Sequence, residues 1–173
     1  FWMEKGYFNI DALSGIGVLK SIDAGVSWTV LNNFATPNAG FGINYINRLV
    51  IRTDSTNTLY AGMLGGIWKT TNAGVSWVKL NVGSTTVRCI DLVMHPTINS
   101  ILYATFGNLN RDGIYKTTNG GTTWSKLTNG LPTIGYQRIN IAISKSSPST
   151  LYAVFDDSAT HDTYNIYKTI NDG

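Results

Sequence analysis

The chain has 173 residues, 43% of them hydrophobic and 13% charged, with a formal net charge of +3 and a pI near 9.0. Length sets one domain with enough apolar content for a core, and 12% aromatic residues at so low a charge exclude a disordered tail. The positive charges are scattered, with no Lys/Arg run to track phosphates, which excludes a nucleic-acid partner, and no apolar run approaches the roughly 18 residues of a membrane span.

The elements are short strands punctuated by turn formers. The first blade's end shows "GVLK" at 17–20 and "SWTVL" at 27–31, and the residues before them offer one more strand. A group of four comes next: "RLVI" (48–51), "LYA" (59–61), "GIWK" (66–69) and "SWVKL" (76–80). The order repeats as "IDLVM" (90–94), "LYA" (102–104), "GIYK" (113–116) and "TWSKL" (123–127), and again as "INIAI" (139–143), "LYA" (151–153) and "NIYK" (165–168). The alternating apolar pairs Leu49 and Ile51, Leu92 and Met94, and Ile141 and Ile143 mark strands with one buried face. "RTDSTNT", "HPTINSI" and "SKSSPST" lie between the first and second strands of each group and read as turns.

Four antiparallel strands, here called a to d, per unit of about fifty residues are the pattern of a β-propeller blade. The fold class is therefore all-β, a β-propeller of four-stranded antiparallel blades. The end of one blade falls at about 1–31, complete blades at about 46–80 and 89–127, and the start of another at about 138–173. These roughly three and a half blades are expected to be part of a larger propeller. The rest of the same chain, or another chain, would cover the open edges.

One phrase joins strand c to strand d each time: "KSIDAGVSW" (20–28), "KTTNAGVSW" (69–77), "KTTNGGTTW" (116–124) and "KTINDG" (168–173). Its opening hydroxyl residues Ser21, Thr70, Thr117 and Thr169 stand 49, 47 and 52 residues apart. Asp23, Asn72, Asn119 and Asn171 can accept backbone N–H bonds inside a turn. Gly25, Gly74, Gly121 and Gly173 supply a positive φ. Trp28, Trp77 and Trp124 re-enter the sheet and offer a large apolar face to the core between blades.

The phrase resembles the Asp-box, or bacterial neuraminidase repeat, S/T-x-D-x-G-x-[ST]-W. Residues 21–28 match at every position, and the boxes at Thr70 and Thr117 differ in carrying Asn for Asp. With "LYA" and "GIYKT", the blades look like those of xyloglucanase-type and sortilin-type propellers and of the photosystem II assembly factor family. The resemblance implies the fold, and Asp-boxes facing away from the usual binding surface. It does not imply one function.

In a propeller the b–c and d–a loops share one rim, where binding belongs. The b–c loops lengthen along this chain, and the d–a connection at 32–45 is long. The candidate binding residues are Tyr45, Phe106, Arg111, Asp112, Tyr136, Asp156, Asp157, His161, Asp162 and Tyr164. Aromatic faces with Asn, Asp and Arg suit sugar recognition. No catalytic residue is assigned. A glycosidase needs two carboxyls about 5–10 Å apart; Asp156, Asp157 and Asp162 share one loop, and Glu4 is the only glutamate. A sialidase would need an Arg-Ile-Pro motif, which is absent. Arg48, Asp91 and Asn140 occupy equivalent strand a positions and either line a central channel or face solvent. Cys89, His95 and His161 fall in different blades, so no metal or cofactor is expected.

The sequence reads as a non-catalytic propeller module for binding or scaffolding, with a polysaccharide or protein ligand, in an exported or cell-surface protein. The alternatives are a fragment of a xyloglucanase-like polysaccharide hydrolase and a protein-assembly factor. Arg48, Arg88 and Arg138, at or near the start of successive a strands, would form the basic patch of the last.

Overall fold

The structure is a computed structural model that describes residues 17–34, 46–84, 88–107 and 112–173. Among them every regular element is a strand. Glu4, Tyr45, Arg111, the strand expected before residue 17 and most of the 32–45 connection lie outside the described residues.

Four antiparallel sheets follow one another. The first pairs β1 (Leu19–Lys20) with β2 (Thr29–Val30). The second runs β3 (Ile46–Ile51), β4 (Leu59–Met63), β5 (Gly66–Thr70) and β6 (Val78–Lys79) in sequence order. The third runs β7 (Cys89–Met94), β8 (Leu102–Phe106), β9 (Gly113–Thr117) and β10 (Ser125–Leu127) in the same way. The fourth has β11 (Tyr136–Ile143), β12 (Leu151–Asp157) and β13 (Thr163–Thr169). Each strand pairs only with its sequence neighbours, so every link is a local hairpin. The innermost strands β3, β7 and β11 lie side by side.

Burial explains why the sheets stack. Strands b and c are buried on both faces in the two four-stranded sheets: Tyr60, Ala61, Ile67 and Trp68 in one, Leu102, Tyr103, Ala104 and Ile114 in the next. A strand covered on both faces needs a neighbour on each side, and the apolar clusters are accordingly inter-sheet. Phe34 of the first sheet's segment packs with Met63, Trp68 and Trp77 of the second. Tyr60 and Ile67 pack with Leu92 and Tyr115 of the third. Tyr103 and Ile114 pack with Ile139, Ile141 and Phe155 of the fourth.

The repeated phrase builds the same turn each time. The first hydroxyl accepts the glycine N–H, at 2.7 Å for Ser21, 3.0 Å for Thr70 and 3.0 Å for Thr117. That hydroxyl donates to the third residue, whose Oδ1 accepts the N–H of Ser27, Ser76 or Thr123 at 2.9 Å. Asp and Asn serve equally because the last hydroxyl reverses its role. The Ser27 hydroxyl donates to Asp23, whereas Ser76 and Thr123 accept from the amides of Asn72 and Asn119. The two residues that follow are both left-handed, with φ of 56° and 93° at Ala24 and Gly25, 57° and 90° at Ala73 and Gly74, 66° and 90° at Gly120 and Gly121, and 67° and 94° at Asp172 and Gly173. A β-carbon on Gly74, Gly121 or Gly173 would stand 2.7 Å from Leu31, Leu80 or Leu127 of the preceding sheet, so the glycine also permits close approach.

The tryptophans are not equivalent, contrary to the expectation of a common core role. Trp77 is fully buried, stacks on Phe34 with centroids 5.3 Å apart, and donates its indole N–H to the Leu31 carbonyl across the sheet boundary at 3.0 Å. Trp28 and Trp124 instead fold back onto their own turns, donating to the Gly25 and Gly121 carbonyls at 3.1 and 3.2 Å. Trp124 is half-buried, but Trp28 is 59% exposed because no described residue covers the outer side of its sheet.

Replacing Trp77 by Ala should cost about 3–5 kcal/mol, in line with other large-to-small core changes, while Trp28→Ala should cost less than about 1 kcal/mol. Urea unfolding of both variants checks this, and equal losses would contradict the asymmetric packing.

Candidate functional site

Two ends of the sheet stack differ in kind. At one end the c–d turns dock on the a–b turns: the Ala73, Gly120 and Asp172 N–H groups donate to Asn57, Ser100 and Ser149 carbonyls at 2.8, 2.8 and 3.0 Å. His95 belongs to this end. It is buried, and its Nδ1 accepts the Thr97 and Ile98 N–H groups. The b–c and d–a connections meet at the opposite end, which holds the described candidate residues.

A polar cluster forms around Asp112, at the start of β9. Its Oδ1 accepts the Tyr115 hydroxyl at 2.8 Å and the Lys126 ammonium at 3.1 Å, and its Oδ2 accepts the Ser84 hydroxyl. The Tyr136 hydroxyl donates to the Asp112 carbonyl at 2.9 Å. Burial pushes the Asp112 carboxyl up, but the three donors outweigh it and hold the group below the usual carboxylate range. Asp112, Tyr136 and Phe106 are all at least 97% buried. They differ in this from the exposed loop residues that sequence position suggested. Phe106 ends β8 and Tyr136 begins β11, so their rings point into the inter-sheet clusters, against Tyr115 and Phe155. The three support the rim from beneath.

The other candidates gather on one hairpin. β12 and β13 have seven residues each, where the other b strands and the c strands at Gly66 and Gly113 have five, so this hairpin projects beyond its neighbours. Asp157 closes its tip by accepting the Ala159 and Thr160 N–H groups at 2.7 and 2.9 Å, which holds its carboxyl low. His161 sits at φ 64° and meets the Gln137 amide through Nδ1. The Ser158 N–H donates to the Gly135 carbonyl at 3.0 Å, tying the tip to the d–a connection. Phe155 pairs with Asn165 and Asp156 with Thr163, which leaves Tyr164 as the extra residue of a β-bulge. Bulges re-aim side chains at sheet rims. The Tyr164 ring lies over Gly135, 3.3 Å from where a β-carbon would stand, and is 44% exposed. Asp162, two residues before it, is exposed. Asp156 is half-buried, and burial pushes its carboxyl up against the opposing charge of Arg138.

The structure therefore brings Asp156, Asp157, His161, Asp162 and Tyr164 together on the hairpin and sets Phe106, Asp112 and Tyr136 beneath the rim. Sequence reasoning did not single out Gln137, Lys126 or Ser84 as site residues. Gln137 lies in the bulged start of β11, where no repeat position marks it.

Along the inner strands, Asp91 is a hub. Its Oδ1 accepts the Arg48 Nε–H at 2.6 Å and its own neighbour's N–H from Leu92 at 2.9 Å, and its Oδ2 accepts the Ile141 N–H at 3.0 Å. One carboxylate thus joins β3, β7 and β11. Arg48 spends its Nε–H on that bond while remaining 54% exposed. Among the described residues no three His, Cys, Asp or Glu side chains converge on a metal site, and no helix is long and apolar enough to cross a membrane.

No family model matches the chain. No curated protein matches it either. Solved structures do. A GH74 enzyme from Niastella koreensis superposes with a TM-score of 0.65 at 24% identity, over 88% of this chain and 24% of that one. The GH74 xyloglucanase from Xanthomonas campestris gives 0.70 at 18% identity, over 92% of this chain and 26% of that one. Both are propeller enzymes, and the likeness shows the fold. The chain spans about a quarter of the length of either.

Asp91→Ala should cost about 2–4 kcal/mol, because it leaves the Leu92 and Ile141 N–H groups buried without an acceptor. Arg48→Ala should cost under about 1 kcal/mol, since the arginine end is solvated. Denaturant midpoints of the two variants read the difference, and a larger loss for the arginine change would refute the hub.

Asp112 gives a pH prediction. Its folded pKa lies below the unfolded value near 3.9, so as pH falls the unfolded chain binds the proton first. The stability this group supplies is full above about pH 4 and is lost below it. The parent should therefore lose more stability between pH 5 and pH 3 than an Asp112→Asn chain. Parallel pH profiles would show that Asp112 does not contribute to acid sensitivity.

Proposed function

We propose that the chain is a segment of an Asp-box β-propeller from a xyloglucanase-like polysaccharide hydrolase, and that its projecting hairpin binds the polysaccharide. The observation that carries this reading is the bulge-mounted Tyr164, an exposed ring held over Gly135 on the hairpin that also carries His161, in contact with Gln137, and the exposed Asp162. A flat apolar face flanked by amide and carboxylate groups is what a pyranose needs: its axial C–H surface stacks on the ring while its hydroxyls find donors and acceptors. The similarity to the Xanthomonas xyloglucanase supports the choice of a glucan over a protein ligand. A polysaccharide of this kind would place the protein outside the cell or at its surface.

The segment's part in hydrolysis is binding. Asp112 is held by three donors and Asp157 caps its own turn, so neither is free to act as a second carboxyl. Asp156 is a half-buried carboxyl whose burial outweighs the charge of Arg138 and holds it upward on balance. It is the one to test as an acid, with any partner supplied from elsewhere in the longer protein.

Titration calorimetry with xyloglucan oligosaccharides tests the proposal. Tyr164→Ala should weaken binding about tenfold or more, as loss of an aromatic anchor does, and Tyr164→Phe should retain it. Binding that ignores Tyr164, or an absence of binding to any glucan, would sink the reading.

A further inference from the structure

The tripeptide Thr-Asn-Gly occurs twice in the chain, at Thr118–Gly120 and at Thr128–Gly130. Asparagine before glycine is prone to cyclise, because glycine has no β-carbon to hinder the approach of its nitrogen to the carboxamide. With identical residues on either side of each asparagine, what separates the two sites is the fold around them.

Asn119 is locked. Its Oδ1 accepts the Thr117 hydroxyl and the Thr123 N–H, both at 2.9 Å, and its Nδ2 donates to the Thr123 hydroxyl at 2.8 Å. Gly120 is buried, and its N–H donates to the Ser100 carbonyl at 2.8 Å. Its own carbonyl accepts the Tyr60 hydroxyl at 3.0 Å and the Lys69 ammonium at 2.9 Å from the preceding sheet. Tyr103 and Lys116 hold the Asp172 carbonyl of the next turn in the same way, at 3.0 and 2.7 Å. This clasp is a joint between sheets, and in both joints the receiving carbonyl belongs to the first of two left-handed residues. The Gly120 nitrogen cannot turn onto the Asn119 carboxamide without opening the joint.

Asn129 is loose. It lies in the d–a connection between the third and fourth sheets, in a turn closed by one long bond, from the Leu131 N–H to the Thr128 carbonyl at 3.4 Å. Asn129 and Gly130 are exposed. Among the described residues neither the Asn129 carboxamide nor the Gly130 N–H has a hydrogen-bond partner. A β-carbon on Gly130 would meet no atom within 4 Å, so the nitrogen has room to move. This exposure belongs to the connections themselves: Asn33 and Asn81, after β2 and β6, are exposed with a described sheet on either side.

We propose that Asn129 is a site of spontaneous deamidation in the folded protein and that Asn119, in the same tripeptide, is protected. The Gly130 nitrogen gives up its proton and bonds to the Asn129 carboxamide carbon. The bond from that carbon to the amide nitrogen breaks, and ammonia leaves. Water then opens the succinimide at either carbonyl, giving aspartate or isoaspartate. Either product adds a negative charge to a chain of net charge +3. The charge falls on the connection whose Gly135 carbonyl accepts the Ser158 N–H of the hairpin tip, and isoaspartate also lengthens the main chain there by one carbon. The inference does not depend on the carbohydrate reading.

Trypsin separates the two sites, since Asn119 lies in Thr117–Lys126 and Asn129 in Leu127–Arg138, with one asparagine in each peptide. The purified 173-residue chain is held for several weeks at mildly basic pH, both folded and in urea, with circular dichroism to confirm each state. It is then digested at mildly acidic pH and read by mass spectrometry with fragmentation that tells aspartate from isoaspartate. In the folded chain Asn129 should convert about tenfold or more faster than Asn119, whose reaction waits on local opening of the clasp. In urea the two rates should converge. Equal rates in the folded chain overturn the proposal, and so does an Asn129 that stays intact while the urea sample converts. A difference that persists undiminished in urea overturns it as well, because it would come from sequence and not from the fold.

Discussion

A backbone carbonyl that points outward from a tight turn joins the third sheet to the second, and another joins the fourth to the third. Presenting it requires two successive left-handed residues, a conformation that L-residues other than Gly resist. The chain secures it by closing the turn from both sides. The opening hydroxyl grips the glycine N–H, and the third residue's side chain grips the N–H beyond it. The glycine then lies against a leucine of the preceding sheet, leaving no room for a β-carbon. The neighbouring tyrosine and lysine find the carbonyl at a fixed place. Register within sheets and spacing between sheets therefore follow from the same nine residues.

Much of this was legible in the sequence because it recurs. The strand order, the b–c hairpins and the position of each turn came from phrases repeated about every fifty residues. The joints were not legible as such. Tyr60 and Gly120 stand 60 residues apart, and Tyr103 and Asp172 stand 69 apart, so no local pattern links donor to acceptor. The lysines and tyrosines were visible only as parts of "GIWK", "GIYK" and "LYA". Asp91 was noticed as an odd residue in the Arg48, Asp91, Asn140 series, and the structure gives the reason. Its two oxygens serve backbone N–H groups on two strands and an arginine on a third.

The candidate site was read less well, for a physical reason. A position counted from the repeat says which loop a residue is in but not where that loop ends. Phe106, Asp112 and Tyr136 stand next to or inside strands, where the rings and the carboxylate turn inward. Tyr164 was included for being aromatic and on a long loop. What distinguishes it is a bulge between Phe155 and Asp156 that composition does not announce.

The same logic says where to look for function in such a chain. Polar residues that recur at the period of the fold are taken up by the fold: the hydroxyls and carboxamides of the turns and the tyrosine–lysine pairs have structural partners wherever the neighbouring sheet is described. Chemistry is left to residues that break the period. In this chain the clearest break is the β12–β13 hairpin, two residues longer on each strand than its counterparts, with a left-handed histidine at its tip and an extra tyrosine on its rim. A left-handed non-glycine residue and a broken ladder persist where the surrounding structure holds them in place, as the Gly135 carbonyl and the Gln137 amide do here. That support ties the hairpin tip to the d–a connection, where the exposed Tyr164 ring lies over Gly135.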